Sequence, residues 1–357
     1  MKKTRVAIAG ASGYAGAELV RLAALHPYFE LYAVTSEKSA GTPVASVFPS
    51  LAGLVSLSFQ ALSPDALAEQ ADAVFLALPH TKSLTPVAAC IQAGRLVVDL
   101  SADYRLKDPS VYEQWYRTPH THPGLLKDAV YGLPEVHRTA IAKATLVASP
   151  GCYPTAAVLQ LAPLFAQDLV QLQSVVIDAK SGVSGAGRSP ALPYHFPEAH
   201  ESIEAYKVGQ HRHTPEIEQE LSALQARLSQ STEPVAAQPI VTFTPHLVPM
   251  NRGILSTAYC RLKSPMALPD LRNLYRDFYK GERFVRVQED IMPNPRYIKG
   301  SNYCDIGVYL DARSGSVITV AALDNLVKGA AGQAIQAMNL MLGFPEETGL
   351  TAPAAYP

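Results

Sequence analysis

The chain predicts an α/β protein of two domains, a doubly wound parallel sheet followed by an α+β domain with a mostly antiparallel sheet. Three observations carry this. Short aliphatic runs alternate with helical patterns over the first 150 residues, the texture of parallel strands joined by crossover helices. Beyond Cys152 the strands lengthen and the helices between them thin out. The length, 357 residues, exceeds what one ordinary core fills.

In the first domain, "RVAIAG" (5–10) is a β-branched run ending in glycine, which suits a buried parallel strand. A helix is expected from Tyr14 to about His26, with Leu19, Val20, Leu22, Ala23 and Leu25 on its apolar side. A strand over 30–36 comes next. The run 63–71 follows as a helix, with a Ser cap and proline in its first turn. Strands over 73–78, 95–100 and 145–149 and a helix over 82–93 complete the pattern. In the second domain, strands are expected at 172–182, 239–249, 253–262, 304–312 and 315–323, and helices at 214–228 and 268–279. "SQSTEPVAAQP" (229–239) reads as a polar connector within that domain. A last helix, Asn325 to about Leu342, is expected to return to the first domain, dividing the chain as 1–150, 151–324 and 325–357.

Composition excludes several classes. Apolar residues make 48% and charged residues 17%, the balance of a soluble globular protein. A net charge of −1 gives no broad field for nucleic acid or an anionic membrane. The opening "MKKTRVAIAGASGYAG" breaks its apolar run with small residues too early for a leader, and no stretch reaches the roughly 18 apolar residues of a membrane span. Cys90, Cys152, Cys260 and Cys304 never form a C-x-x-C pair. That pattern fits free thiols in a reducing cytoplasm, with no disulfide framework and no metal. Three of the four read as buried small hydrophobes.

"GASGYAG" places Gly10, Gly13 and Gly16 between the first strand and the first helix. Small residues there let a chain turn sharply, approach a pyrophosphate with its N–H groups and pack helix on strand. Ser12 and Tyr14 belong to the same loop. About twenty residues on, NAD sites carry a carboxylate for the ribose. Here stand Thr35, Ser36, Glu37, Lys38 and Ser39, and the hydroxyl of Ser36 with the charge of Lys38 suits the 2′-phosphate of NADP.

"SPGCYPTAAVLQLAPLF" (149–165) sets Cys152 just after Pro-Gly and at the start of a helix, where the backbone dipole favours the thiolate. A nucleophilic thiol beside a nicotinamide implies aldehyde-level chemistry through a thioacyl enzyme. That needs a proton-transfer group and cations for the substrate's anions. "GQHRHTPEIEQEL" (209–221) supplies His211 and His213 ahead of a helix carrying Glu216; a metal pair there lacks an evident third ligand. "SGVSGAGR" (181–188) lacks the hydrolase G-x-S-x-G spacing and reads as a loop around an anion or cofactor. In "LSADYRL" (100–106), Asp103 and Arg105 could be an ion pair, or Arg105 could meet a phosphate or carboxylate.

These motifs, with "SPGCYPTAA", "HRHTPEI", "HLVPMNRGI" (246–254) and "DNLVKGAAGQAIQAMNL" (324–340), resemble the N-acetyl-γ-glutamyl-phosphate reductase family nearly end to end. The resemblance implies an arginine-biosynthesis enzyme that reduces an acyl phosphate to a semialdehyde with NADPH and releases inorganic phosphate. It implies a Rossmann domain plus an α+β domain, and a homodimer or homotetramer built through the second domain's sheet. It implies Cys152 as nucleophile, His211 as acid/base with His213 as the other candidate, and Glu216 orienting it. Ser184, Gly185, Asn325 and Gly329 would face the nicotinamide, and Arg105, Arg188 and Arg252 are candidate clamps for phosphate or carboxylate. "TSEKSAGT" lacks the arginine such relatives often carry after the second strand. Three alternatives stay open. They are an aspartate-semialdehyde dehydrogenase, a lysine-pathway reductase of a carrier-linked acyl phosphate, and a catalytically silent NADP-binding relative.

Overall fold

The structure is a computed structural model describing residues 3–61, 63–229 and 238–356, with backbone alone for Pro64, Asp65, Gln70 and Arg227–Ser229. The expected connector at 229–239 lies, apart from its ends, outside the described residues. The chain divides into two compact units, Met1–Gly151 with Ala330–Ala352, and Cys152–Gly329 with Pro353–Pro357.

In the first unit, β1 (Thr4–Ala9), β2 (Phe29–Val34), β3 (Ala73–Leu76), β4 (Leu96–Asp99), β5 (Val130–Tyr131) and β6 (Leu146–Ala148) form one parallel sheet among the described residues, ordered β2-β1-β3-β4-β6-β5. Strands β3 and β6 are buried throughout and β1 and β4 beyond their first residues, which is why they read as apolar runs. Around the sheet lie α1 (Tyr14–Leu25), α2 (Val44–Val47), α3 (Pro64–Gln70), α4 (Leu84–Gln92), α5 (Pro109–Tyr116) and α6 (Pro134–Ile141). The Ser63 hydroxyl accepts from Ala66 N–H at 3.3 Å and caps α3, as its sequence predicts. Chain order reverses beside β1, so the crevice at the carboxyl ends of β1 and β3 is the ligand side of such a sheet. One expectation needs correcting: Leu25 is 58% exposed, because α1 ends there and the chain turns away at His26.

The second unit opens with α7 (Cys152–Ala166), whose residues from Tyr153 to Phe165 are all buried. Its sheet holds β7 (Val175–Gly182), β8 (Glu204–Ala205), β9 (Val241–Val248), β10 (Ile254–Arg261), β11 (Val285–Gln288), β12 (Cys304–Asp311) and β13 (Ser316–Leu323), ordered β11-β12-β13-β10-β7-β9-β8. Most neighbours are antiparallel, but β7–β9 and β11–β12 run parallel. Parallel pairing needs a long crossover, which between β7 and β9 includes α8 (Phe196–Ala199) and α9 (Thr214–Ser229). Helix α7 packs on β10, β13, α9 and α10 (Leu268–Phe278). On the opposite sheet face Val176 and Tyr259 are cross-strand neighbours, 40% and 41% exposed.

Pro163 lies inside α7 and cannot donate to the carbonyl four residues back, that of Leu159. The hydroxyl of Tyr279 donates to that carbonyl, and the hydroxyl of Tyr275 donates to the next, Gln160 O, at 2.6 Å. The last helical run, expected as one helix, begins as a π-helical turn (Val327–Ala331) and continues as α11 (Gly332–Met341), which packs on α1, α6 and β4.

Candidate active site

Local sterics explain two of the loop glycines. Gly10 has φ +75°, and a Cβ there would lie 2.4 Å from Ala77 O; one at Gly16 would lie 2.3 Å from Gly10 O. Gly13 is the N-cap of α1. No side chain caps that helix and no acid lies in its first turn, which suits a pyrophosphate at its positive end. At the carboxyl ends of β1 and β2, Ser12 Oγ lies 2.7 Å from Ser36 Oγ, and Gly10 N–H donates to Thr35 Oγ1 at 3.3 Å. Lys38 is exposed on the next turn, and Tyr14 is 39% exposed. The structure thus gathers Gly10, Ser12, Gly13, Tyr14, Gly16, Ser36 and Lys38 in one place. An uncapped helix start beside hydroxyls and an ammonium fits a phosphorylated dinucleotide.

Arg105, one of the candidate clamps, lies beside the ends of two strands. It is buried; its Nε donates to Ser149 O and its Nη2 to Leu100 O, both at 2.7 Å, bracing the ends of β6 and β4. Asp103 has its own partners, accepting from Thr81 N–H at 2.7 Å, Ser83 N–H at 2.9 Å and Tyr112 Oη at 3.0 Å. Burial, and then the charge of Asp103, push the carboxyl of fully buried Asp99 up to about 6.

In the second unit Cys152 is the first residue of α7 and is half-buried, whereas Cys90, Cys260 and Cys304 are buried. Tyr153 and Tyr206 stand close enough to the thiol that its charge adds to the burial raising both phenols. Tyr206 Oη donates to Tyr153 Oη at 3.1 Å, which donates to His246 O at 3.2 Å. His211 is wedged among the rings of Tyr206, Tyr153 and Phe243, with centroids 5.6, 5.7 and 5.4 Å away. Burial, helped by the charges of Lys207 and Arg212, pulls this imidazole down to about 3. Its Nδ1 accepts from His213 N–H at 3.2 Å, which assigns the proton of the neutral ring to Nε2. His213 stacks edge-on with centroids 4.7 Å from His211, and Glu216 is buried in the first turn of α9.

A second knot joins Ser184, Asn325 and the loop after β9. Ser184 Oγ donates to Asn251 O at 2.6 Å and accepts from Asn325 Nδ2 at 3.0 Å, while Asn325 Oδ1 accepts from Gly253 N–H at 2.7 Å. A Cβ on Gly185 would lie 2.7 Å from Ser181 Oγ, and one on Gly329 would lie 2.9 Å from Cys152 Cβ. Arg252 Nε lies 3.6 Å from the buried carboxylate of Asp324; Arg188 is exposed on the segment after Gly187. Sequence reasoning missed Tyr206, Lys207 and Arg212. The one available signal was the run "YKVGQHRH", two cations bracketing the histidine. Among the described residues no group of three or more His, Cys, Asp or Glu could hold a metal, and no helix is long and apolar enough to cross a membrane.

Comparison with known proteins agrees over almost the full length. Residues 5–144 match the family model described as semialdehyde dehydrogenase, NAD binding domain, and 152–325 the one described as semialdehyde dehydrogenase, dimerisation domain. An N-acetyl-gamma-glutamyl-phosphate reductase of Pelotomaculum thermopropionicum is 50% identical over 354 residues, 99% of each chain. That of Geotalea daltonii is 51% identical over 355 residues, again 99% of each. Among solved structures, aspartate semialdehyde dehydrogenase with NADP from Candida albicans superposes with a TM-score of 0.71 at 17% identity, covering 96% of this chain and 99% of that one. Aspartate semialdehyde dehydrogenase II complexed with ASA from Vibrio cholerae gives 0.70 at 16%, with the same coverage. At such identities the likeness shows the fold. The chain belongs to the N-acetyl-gamma-glutamyl-phosphate reductases of the semialdehyde dehydrogenase family.

Proposed function

We propose that this chain reduces N-acetyl-γ-glutamyl phosphate to N-acetylglutamate 5-semialdehyde with NADPH, releasing inorganic phosphate, as a step of arginine biosynthesis. The observation that carries this reading is the half-buried thiol of Cys152 at the start of α7, clustered with Tyr153, Tyr206 and the neutral His211. The Cys152 thiolate attacks the acyl carbon and phosphate departs with the bonding pair, leaving a thioester on Cys152. NADPH, when held by the loop of Gly10, Gly13 and Gly16, would supply the hydride that takes the thioester to the aldehyde level. His211 keeps its Nε2 proton and hydrogen-bonds the oxygen on which charge develops, and the resulting hemithioacetal alkoxide collapses to the aldehyde and returns the sulfur as thiolate. Lys207 and Arg212, whose charges already act on His211, hold the departing phosphate. Glu216 supports the imidazole from the first turn of α9, and Arg188 and Arg252 are the remaining candidates for the substrate's anions.

Gly10, Ser12, Gly13, Tyr14, Gly16, Ser36 and Lys38 would hold the nucleotide, with Ser36 and Lys38 at its 2′-phosphate. Ser184, Gly185 and Asn325 shape the nicotinamide side. The chain works as a homo-oligomer in the cytoplasm, and the sheet face bearing Val176 and Tyr259 pairs two copies. The test is the reverse reaction, NADP reduction with N-acetylglutamate semialdehyde and phosphate, with aspartate semialdehyde in parallel. Phosphate-dependent turnover with the acetylated substrate alone is expected. Preference for aspartate semialdehyde refutes the substrate and keeps the chemistry, and silence with both refutes the proposal.

A further inference from the structure

We propose that Gly329 is a positioning residue for Cys152, a back-stop that sets where the nucleophile sits and offers the cofactor no hydrogen-bond donor. The inference rests on Cys152 being the nucleophile and adds a residue whose action is purely steric. Gly329 lies in the π-helical turn Val327–Ala331, and its N–H donates at 2.9 Å to Asp324 O, five residues back. That donor is therefore already spent inside the turn. Such wide turns recur where a helix must present an unusual surface. Here the surface is bare backbone against the first residue of α7, with positions for a Cβ only 2.9 Å from Cys152 Cβ and 3.3 Å from Cys152 Cα.

Neither side can retreat. The base of the turn is clamped by buried Asp324, whose carboxylate accepts from Leu326 N–H at 2.8 Å, Val327 N–H at 3.2 Å and Gly300 N–H at 2.7 Å and lies beside Arg252. On the other side α7 is enclosed from Tyr153 to Phe165. A methyl group at 329 must therefore displace Cys152 itself. The displaced atom is Cβ, one bond from the sulfur, so the sulfur moves with it.

The test is Gly329→Ala in the full-length enzyme, read three ways. A shift of up to about 1 Å should lower kcat on the order of 30- to 100-fold. NADPH affinity, read by cofactor fluorescence, should change less than about twofold, and iodoacetamide alkylation of Cys152 should slow with an altered pH profile. A second variant locates the clash: Cys152→Gly removes the opposing Cβ. If Gly329→Ala lowers Tm by about 2–4 °C in the parent, it should lower it by less than half as much in the Cys152→Gly background. Unchanged alkylation with weakened NADPH binding would make Gly329 a cofactor contact and overturn the proposal. So would a Tm loss that Cys152→Gly leaves untouched. Turnover surviving in Cys152→Ser would instead refute the assigned nucleophile, while the packing result stood.

Discussion

His211 should remain uncharged across the whole working range of the enzyme. Its ring is enclosed by Tyr153, Tyr206 and Phe243, and Lys207 and Arg212 add unfavourable charge, so the imidazole is pulled from 6.5 to about 3. At pH 7 such a group is cationic in only about one molecule in 10⁴. With Nδ1 occupied by His213 N–H, the neutral ring presents Nε2–H, the donor that an acyl-transfer oxyanion needs. Histidine-labelled NMR of the Cys152→Ser protein between pH 5 and 8 should show one imidazole, lost in His211→Asn, whose signals do not move. A titration midpoint near 6.5 for that ring would refute the reasoning. In the active enzyme His211→Asn should lower turnover roughly 10²–10³-fold, the cost of losing one oxyanion donor. Stability follows the same linkage. The folded value lies below the unfolded one, so the contribution is fully present above pH 6.5 and is lost as pH falls toward about 3. By pH 4 the loss is on the order of 3 kcal/mol, and His211→Asn should flatten that limb.

Other outcomes follow from buried groups whose partners are fixed. Asp99 has the opposite sign: raised from 3.8 to about 6, its favourable contribution is complete below 3.8 and lost as pH rises through 6. Asp99→Asn should therefore flatten the fall in Tm between pH 4.5 and 7.5, and an unchanged slope would count against the burial argument. Tyr279→Phe leaves the Leu159 carbonyl without the donor that replaces Pro163, a cost of about 1–3 kcal/mol. In a Pro163→Ala background the cost should shrink, since an N–H returns; calorimetry showing equal costs would sink this reading. Lys207→Ala should raise KM for the acyl phosphate and for phosphate in the reverse reaction with little change in NADPH binding. An unchanged phosphate KM would remove Lys207 from the site.

What the sequence disclosed depended on how local its cause was. Strands β7, β9, β10, β12 and β13 were legible within a few residues because each is eight residues long and rich in β-branched and other apolar residues. Strands β5 and β8, two residues each, are too short to display any period. Gly16 was legible because its clash, with Gly10 O, lies within its own turn; Gly10 was legible from the spacing of the glycines, although the atom its Cβ would meet, Ala77 O, stands 67 residues on. The partners of Arg105 were not, because the carbonyl that takes its Nε belongs to Ser149, 44 residues on. Tyr206 and Lys207 reach the candidate site through the pairing of β8 with β9, continued by Tyr206 N–H donating to Pro245 O at 3.1 Å. No spacing along the chain announces that contact.

Helix α7 shows why support for the thiol is spread over so many residues. Its proline should weaken it in the middle, yet Tyr275 of α10 and Tyr279 just past the end of that helix take up the carbonyls there, and α9 and the sheet close the remaining sides. The helix is thus held along its length, and its first residue inherits that position. Damage at the tyrosines should then appear as lost stability, spread over the second unit and read in Tm. Damage at Gly329 acts on Cys152 directly, because an added Cβ would lie 2.9 Å from Cys152 Cβ, and should appear in kcat and in the reactivity of the thiol as well as in Tm. Substitutions at these two places would therefore separate in the chemistry: both lower Tm, and Gly329→Ala alone also lowers kcat. That separation is what preorganisation of a nucleophile by packing requires.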